Sequence, residues 1–185
     1  MTPATAAKRY ARALFDVMLH QKGDLDRAGQ ELEAFAALVS GNAGLAAVIA
    51  NPAVPAAKKR AMVDAILAQA GPVSEQVART LQLLADRDRL PLVPQLARAY
   101  GERLMDHRQI VRAEVTTAVP LDADRAKAVA DALGAATGRH VLLSQNVDSA
   151  ILGGVIARVG SVIYDGSVAR QLEKMKASLV ESGQE

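Results

Sequence analysis

The sequence predicts an α+β protein that is mainly α: a helical bundle over residues 1–105 followed by a small α/β domain over residues 106–185. Apolar residues recur at helical spacing through almost all of the first part. From Ile110 the period drops to two, the period of a strand. Half of the 185 residues are hydrophobic, yet only 3% are aromatic, which favours helices packed through small side chains over a large β core. Helices first and strands later signal two segregated parts rather than an alternating α/β fold, with the boundary near residues 106–109.

Between Ala6 and Met18 the residues Ala7, Tyr10, Ala11, Leu14 and Met18 form a stripe, while Lys8, Arg9, Arg12 and Asp16 fall mostly elsewhere on the wheel. Gly23 is expected to end this helix and Asp24 to cap a second, whose period runs through Leu25, Ala28, Leu32, Phe35 and Val39 to Ser40 and Gly41. A short apolar segment, Leu45 to Ala50, then meets Asn51, Pro52 and Pro55, so the chain turns there. Helix resumes near Ala56 with Met62, Val63, Ile66 and Leu67 inward. After Gly71, Pro72 and Ser74 open another helix through Val77, Leu81 and Leu84, closed by the charged stretch at 86–89. Beyond Pro91, Leu92, Leu96, Tyr100 and Leu104 keep a four-residue spacing.

In the second part Val111, Ala113, Val115, Thr117 and Val119 alternate as a strand. Asp122 or Asp124 caps a helix with Ala126, Val129, Ala130 and Leu133 inward, Gly138 stops it, and Val141 to Val147 is a second strand. Gly153 and Gly154 precede a hairpin of Val155 to Val159 and Val162 to Tyr164, with Gly160 and Ser161 at its turn. After Asp165, Gly166 and Ser167 comes a last amphipathic helix carrying Val168, Leu172, Met175 and Leu179. That helix is expected to dock on the sheet, since each buried side chain is worth roughly 1.5–3 kcal/mol.

The chain has no cysteine, which excludes disulfides, thiolate metal sites and cysteine nucleophiles and fits a reducing compartment. No stretch approaches the roughly 20 apolar residues that span a bilayer, and the opening MTPATAAKRYARALF lacks an apolar signal core or a transit peptide. The expectation is a soluble bacterial protein without direct membrane insertion. Net charge is +2, with 13 basic against 10 acidic residues up to Met105 and 9 against 10 beyond it, so neither part has the basic excess of a nucleic-acid binder. The predicted sheet also carries a single aromatic, Tyr164, too few for base stacking.

Sites for chemistry are missing too. There is no phosphate-binding loop and no GxGxxG; Gly153, Gly154 and Gly160 flank a strand instead of opening a helix. His20, His107 and His140 lack a ligand partner at helical spacing. The carboxylate pairs Asp86 with Asp88 and Asp122 with Asp124 sit at helix ends, common solvated arrangements. The densest basic run, Lys58, Lys59 and Arg60, is expected on a solvated helix face. No catalytic residue, metal or cofactor is therefore expected.

Several local patterns, in order along nearly the whole chain, resemble one family. Arg9-Tyr10-Ala11-Arg12-Ala13-Leu14-Phe15 is similar to the N-terminal signature of the delta subunit of bacterial F-type ATP synthase, relative of the mitochondrial oligomycin-sensitivity-conferring protein. Asn51-Pro52 with Val54 and Lys58 resembles its mid-bundle turn, and Leu83-Leu84, Arg89-Leu90 and Tyr100 also fit. The run from Val111 to Leu121 is similar to its first strand, and Gly153, Gly154, Val155, Arg158, Gly160, Asp165, Gly166 and Ser167 resemble its most diagnostic segment. Ser161, Tyr164 and the stretch Ala169 to Gln171 depart from the usual pattern.

The resemblance implies a six-helix N-terminal domain holding the N-terminal helix of an alpha subunit on the catalytic head. It implies a C-terminal domain, with a short sheet and two helices, holding the b subunits of the peripheral stalk. The chain would be a monomer within that hetero-oligomer, peripheral on the cytoplasmic face of the inner membrane. It would be a non-catalytic stator that resists rotor torque during proton-driven ATP synthesis. The helix-binding residues so implied are Tyr10, Ala13, Leu14, Arg79 and Leu83, although periodicity places Tyr10, Leu14 and Leu83 equally well in a core. The glycines of the C-terminal motif and Asp165 read first as turn formers. The competing reading, an RNA-binding or regulatory helical protein, rests on an isoelectric point near 9.0 and the Lys58 to Arg60 run.

Overall fold

The computed structural model of the chain describes residues 2–182 apart from 149, 150, 152 and 161, with the side chains of 174 and 177–182 also left undescribed. The expected turn residue Ser161 and the side chain of Leu179 thus lie outside the described residues. Two compact units divide the chain, one ending at His107 and one beginning at Arg108.

The first unit is built from α1 (Pro3–His20), α2 (Leu25–Gly41), α3 (Ala43–Ala50), α4 (Ala56–Ala70), α5 (Glu75–Asp86), a 3-10 turn at Leu90–Leu92, and α6 (Val93–His107). Asp24 caps α2, its carboxylate accepting from the amides of Asp26 at 3.1 Å and Arg27 at 3.0 Å; Asn42 does the same for α3 through Leu45 at 3.0 Å. The core runs through the stripes that periodicity picks out, including Ala7, Ala11, Leu14 and Met18 of α1, Leu32 and Phe35 of α2, and Leu96 and Tyr100 of α6. Leu92 belongs to the 3-10 turn instead of α6, and Val93 takes its place in the core.

Helix α1 ends differently from the expectation at Gly23. Lys22 holds the left-handed conformation, φ 52°, and Gly23 closes the turn by donating to the Met18 carbonyl at 2.9 Å. Glycine is needed at 23 for space, because a Cβ there would lie 2.8 Å from Met18 Cε.

Tyr100 is fully buried, stacks at 5.7 Å against Phe15, and donates its hydroxyl to the Leu25 carbonyl at 3.1 Å. Burial, with Asp26 and Asp24 nearby, pushes its phenol from 10.0 up to about 12. Below pH 10 both folded and unfolded chains keep this proton, so the stabilisation is whole. Between 10 and about 12 only the unfolded chain releases it, and stability falls by up to about 1.4 kcal/mol per pH unit. Alkaline denaturation of Tyr100→Phe is expected to lack this steep component, while the variant loses about 1 kcal/mol at neutral pH with its hydrogen bond.

The second unit holds β1 (Ile110–Thr117), α7 (Ala123–Thr137), β2 (His140–Val147), β3 (Val155–Val159), β4 (Val162–Asp165) and α8 (Val168–Ser182). The sheet order is β2-β1-β3-β4, with β1 parallel to β2 and antiparallel to β3. Helix α7 supplies the crossover that a parallel pair requires. Asp122, not Asp124, caps it, and Gly138 ends it at φ 68°. Ala113, Val115, Ala157 and Val159 of the sheet close with Leu133 of α7 into one small core.

Helix α8 corrects the expectation that it docks on the sheet. Val168, Leu172 and Met175 are 42%, 57% and 63% exposed. The physical reason lies in the sheet: α7 occupies its more apolar face, and the opposite face mixes Leu142, Ile156 and Ile163 with Arg112, Glu114 and Arg158, which leaves no unbroken apolar surface for the helix.

Candidate partner-binding groove

The expected helix-binding residues come together. Along α1 each of Tyr10, Ala13, Leu14, Val17 and Gln21 has another of the set three or four positions away, so they share a stripe. Along α5, Glu75, Gln76, Arg79, Thr80 and Leu83 do the same. The two stripes face each other across an open groove of about 250 Å³, lined by all five expected residues. Leu14 lies almost wholly beneath it in the core, whereas Leu83 keeps 44% of its surface exposed. Core and groove are thus not alternatives here, since Leu14 serves as floor and Leu83 as wall.

Polar pairs bound the groove. Gln76 donates its side-chain amide to Gln21, and Glu75 pairs with Arg79 one turn on. Arg89 donates to the Tyr10 hydroxyl at 3.2 Å, with its guanidinium 6.0 Å from the ring centre. Thr80, which also lines the groove, donates its hydroxyl back to the Gln76 carbonyl at 2.7 Å. An apolar floor between two parallel rims of polar side chains suits an amphipathic helix, a standard mode of recognition. Val17, Gln21, Gln76 and Thr80 carry no motif of their own in the sequence, although the spacing from Tyr10 and Leu83 reaches each of them. Arg89 shows in the sequence only as part of the Arg89-Leu90 pattern, because no helical period links it to Tyr10.

In the basic run on α4, Lys58 and Arg60 are exposed as expected, and Lys59 is the correction to the solvated face. Lys59 is 1% exposed, and Nζ donates to the Ile49 carbonyl at 2.8 Å and to Asp88 at 2.5 Å. Arg60 pairs with Asp86 at 2.5 Å. Helix packing brings the run against the acidic end of α5, so two motifs that look solvated separately are each other's partners. This disposition weakens the RNA reading, because two of its three cations are already engaged.

The C-terminal motif forms a knot at the root of α8. Gly166 donates to the Val155 carbonyl at 2.9 Å and Val168 to that of Gly153 at 3.1 Å. Gly154, at φ 91°, passes so close that a Cβ would lie 2.5 Å from the Gly166 carbonyl oxygen. Asp165 accepts from the Ser167 amide at 2.9 Å, and Ser167 Oγ from the Arg170 amide at 3.3 Å, which starts the helix. Gly160 turns the hairpin at φ 60°. Arg158 stands apart, opposite Glu114 on the sheet face that α7 leaves open.

A family model described as ATP synthase delta (OSCP) subunit matches residues 6–179. Among similar proteins, ATP synthase subunit delta of Myxococcus xanthus is 40% identical over 97% of this chain and 98% of its own length. That of Anaeromyxobacter dehalogenans is 41% identical over 97% and 99%, and that of Geotalea uraniireducens 36% over 95% and 97%. A chain in the cryo-EM structure of the Toxoplasma gondii mitochondrial ATP synthase hexamer shares the fold, with a TM-score of 0.60 at 23% identity over 94% of this chain and 97% of that one. With a family model spanning nearly its whole length and relatives near 40% identity covering it end to end, the chain belongs to the ATP synthase delta (OSCP) subunit family.

Proposed function

We propose that the groove between α1 and α5 holds the N-terminal helix of an alpha subunit, and that the second unit holds the b subunits of the peripheral stalk. As a delta subunit the chain is a stator component of ATP synthase, peripheral to the membrane complex and assembled with other subunits of that enzyme. Its task on this reading is mechanical: it links the catalytic head to the stalk on the cytoplasmic face of the inner membrane, so that the head resists the rotor's torque. It makes and breaks no bond itself.

The observation that carries the reading is the apolar floor between α1 and α5, with Leu83 exposed at its wall. A single exposed leucine is ordinary on a protein surface, but beside Val17 and Ala13 it completes a surface whose burial by a helix is favourable. The test is a calorimetric titration with a synthetic peptide of the alpha N-terminal helix from the same organism. Saturable binding near equimolar ratio is expected, and Leu83→Asp should weaken it at least about tenfold by placing a charge in the buried contact. A folded protein that takes up no peptide would sink the assignment of the groove.

A further inference from the structure

We infer that Lys59, buried on α4 behind the groove's α5 wall, is a positioning residue that sets Tyr10 at the groove's end through Asp88 and Arg89; this rests on the groove reading above. Lys59 Nζ is the bridge between the α3 C-terminus, through the Ile49 carbonyl, and the turn after α5, through Asp88. That turn is a helix-ending motif in which Asp88 donates to the Ala85 carbonyl at 3.1 Å and Arg89 to that of Leu84 at 2.7 Å. Its left-handed residue, normally glycine, is here Asp88 at φ 52°. A carboxylate at a position that favours glycine is accounted for by the ammonium it meets. The next residue, Arg89, reaches the Tyr10 hydroxyl and lies over its ring. Two side-chain pairs, Lys59 with Asp88 and Arg89 with Tyr10, joined by the backbone of the turn, therefore connect α4 to the end of the groove, and the only buried charge among the four is Lys59.

A neutral side chain at 59 would leave Asp88 half-exposed in water with no partner to fix it, and the turn that aims Arg89 would lose its tether. Tyr10 would then keep its packing against the bundle core but lose the contact that fixes its hydroxyl and ring face, and the groove's end would lose its fixed shape.

The test is carried out on the full chain with isotope-labelled tyrosine and arginine, comparing wild type, Lys59→Met, Arg89→Ala and the core control Val39→Ala on α2. Lys59→Met is expected to move the Tyr10 ring resonances in the direction that Arg89→Ala moves them and to shift the Arg89 side-chain signal. Tyr164 in the other unit should stay in place, and Val39→Ala should leave Tyr10 unmoved. Affinity for the alpha-helix peptide should fall several-fold in Lys59→Met and stay within about twofold of wild type in Val39→Ala. Tyr10 resonances unmoved in folded Lys59→Met, or moved equally by Val39→Ala, would overturn the inference. A shifted Tyr10 in a protein that binds no peptide even as wild type would instead sink the groove's assignment and leave the positioning link standing. If Lys59→Met fails to fold, Asp88→Asn, which keeps the left-handed turn but not the charge, is read by the same signals.

Discussion

Asp88→Ala is expected to destabilise the helical unit by about 2–4 kcal/mol, more than the removal of any exposed charge in the chain. Two costs add. The first is electrostatic: Lys59 is 1% exposed, and without Asp88 its ammonium keeps only the Ile49 carbonyl. The second is conformational, because residue 88 sits at φ 52°, where a residue with Cβ costs roughly 1–2 kcal/mol and Asp or Asn least among them. Substitutions separate the two. Asp88→Gly removes the charge and relieves the backbone, so it should lose less than Asp88→Ala; Asp88→Asn keeps a tolerant backbone and an acceptor and should lose least. Lys59→Met should cost less than Asp88→Ala, since it abolishes the buried charge and leaves a carboxylate that water reaches. Urea unfolding followed by helical circular dichroism checks the order. If Asp88→Gly proved as harmful as Asp88→Ala, backbone strain would be excluded; if Lys59→Met proved the worst, the ammonium's bonds to Asp88 and the Ile49 carbonyl would outweigh the cost of burying it.

The contrast between Lys59 and Leu83 shows what periodicity carries and what it does not. Tyr10, Ala13 and Leu14 lie on one face of α1, and Arg79 and Leu83 on one face of α5, because spacing along a helix fixes the side of the wheel. The groove follows from placing two such faces side by side. Lys59 finds Asp88 across 29 positions of sequence, and its neighbours Lys58 and Arg60 make the run look like a solvated patch. The helical period does single it out, since Lys59 precedes Met62 and Val63 by three and four and so lies on the inward face while Lys58 and Arg60 flank it. What the period does not supply is the partner, which only the packing of α4 against α5 brings. Helix α8 errs in the opposite sense. Its period is real, but amphipathicity states that a face seeks cover without stating where the cover is. The sheet's apolar face was already taken by Leu133 and Val129 of α7. In the glycine motif the sequence is informative again, since Gly153, Gly154, Gly166 and Ser167 meet in one knot, as turn formers should.

That knot makes Gly154→Val the most severe change expected in the second unit. A Cβ at 154 would sit 2.5 Å from the Gly166 carbonyl oxygen, 2.8 Å from Ser167 Cα and 3.1 Å from the Val168 amide. All three are backbone atoms, so no rotamer change relieves the contact. The conformation compounds it, because φ 91° is strained for any side chain and most for a β-branched one. The strands at 153–155 and 165–168 must separate, which breaks the bonds from Gly166 to Val155 and from Val168 to Gly153. Since α8 has Val168, Leu172 and Met175 exposed, the knot is what fixes its first turn. Amide exchange in Gly154→Val should therefore rise sharply at Gly166, Val168 and the first turn of α8. It should remain near wild type at Ala113 and Val115 in the centre of the sheet, where the core with Leu133 is untouched. Gly154→Ala should show the same pattern more weakly, since the Cβ clash is shared and the branching is not. Protection retained at Val168 in both variants would mean that α8 is held by its side chains, contrary to their exposure.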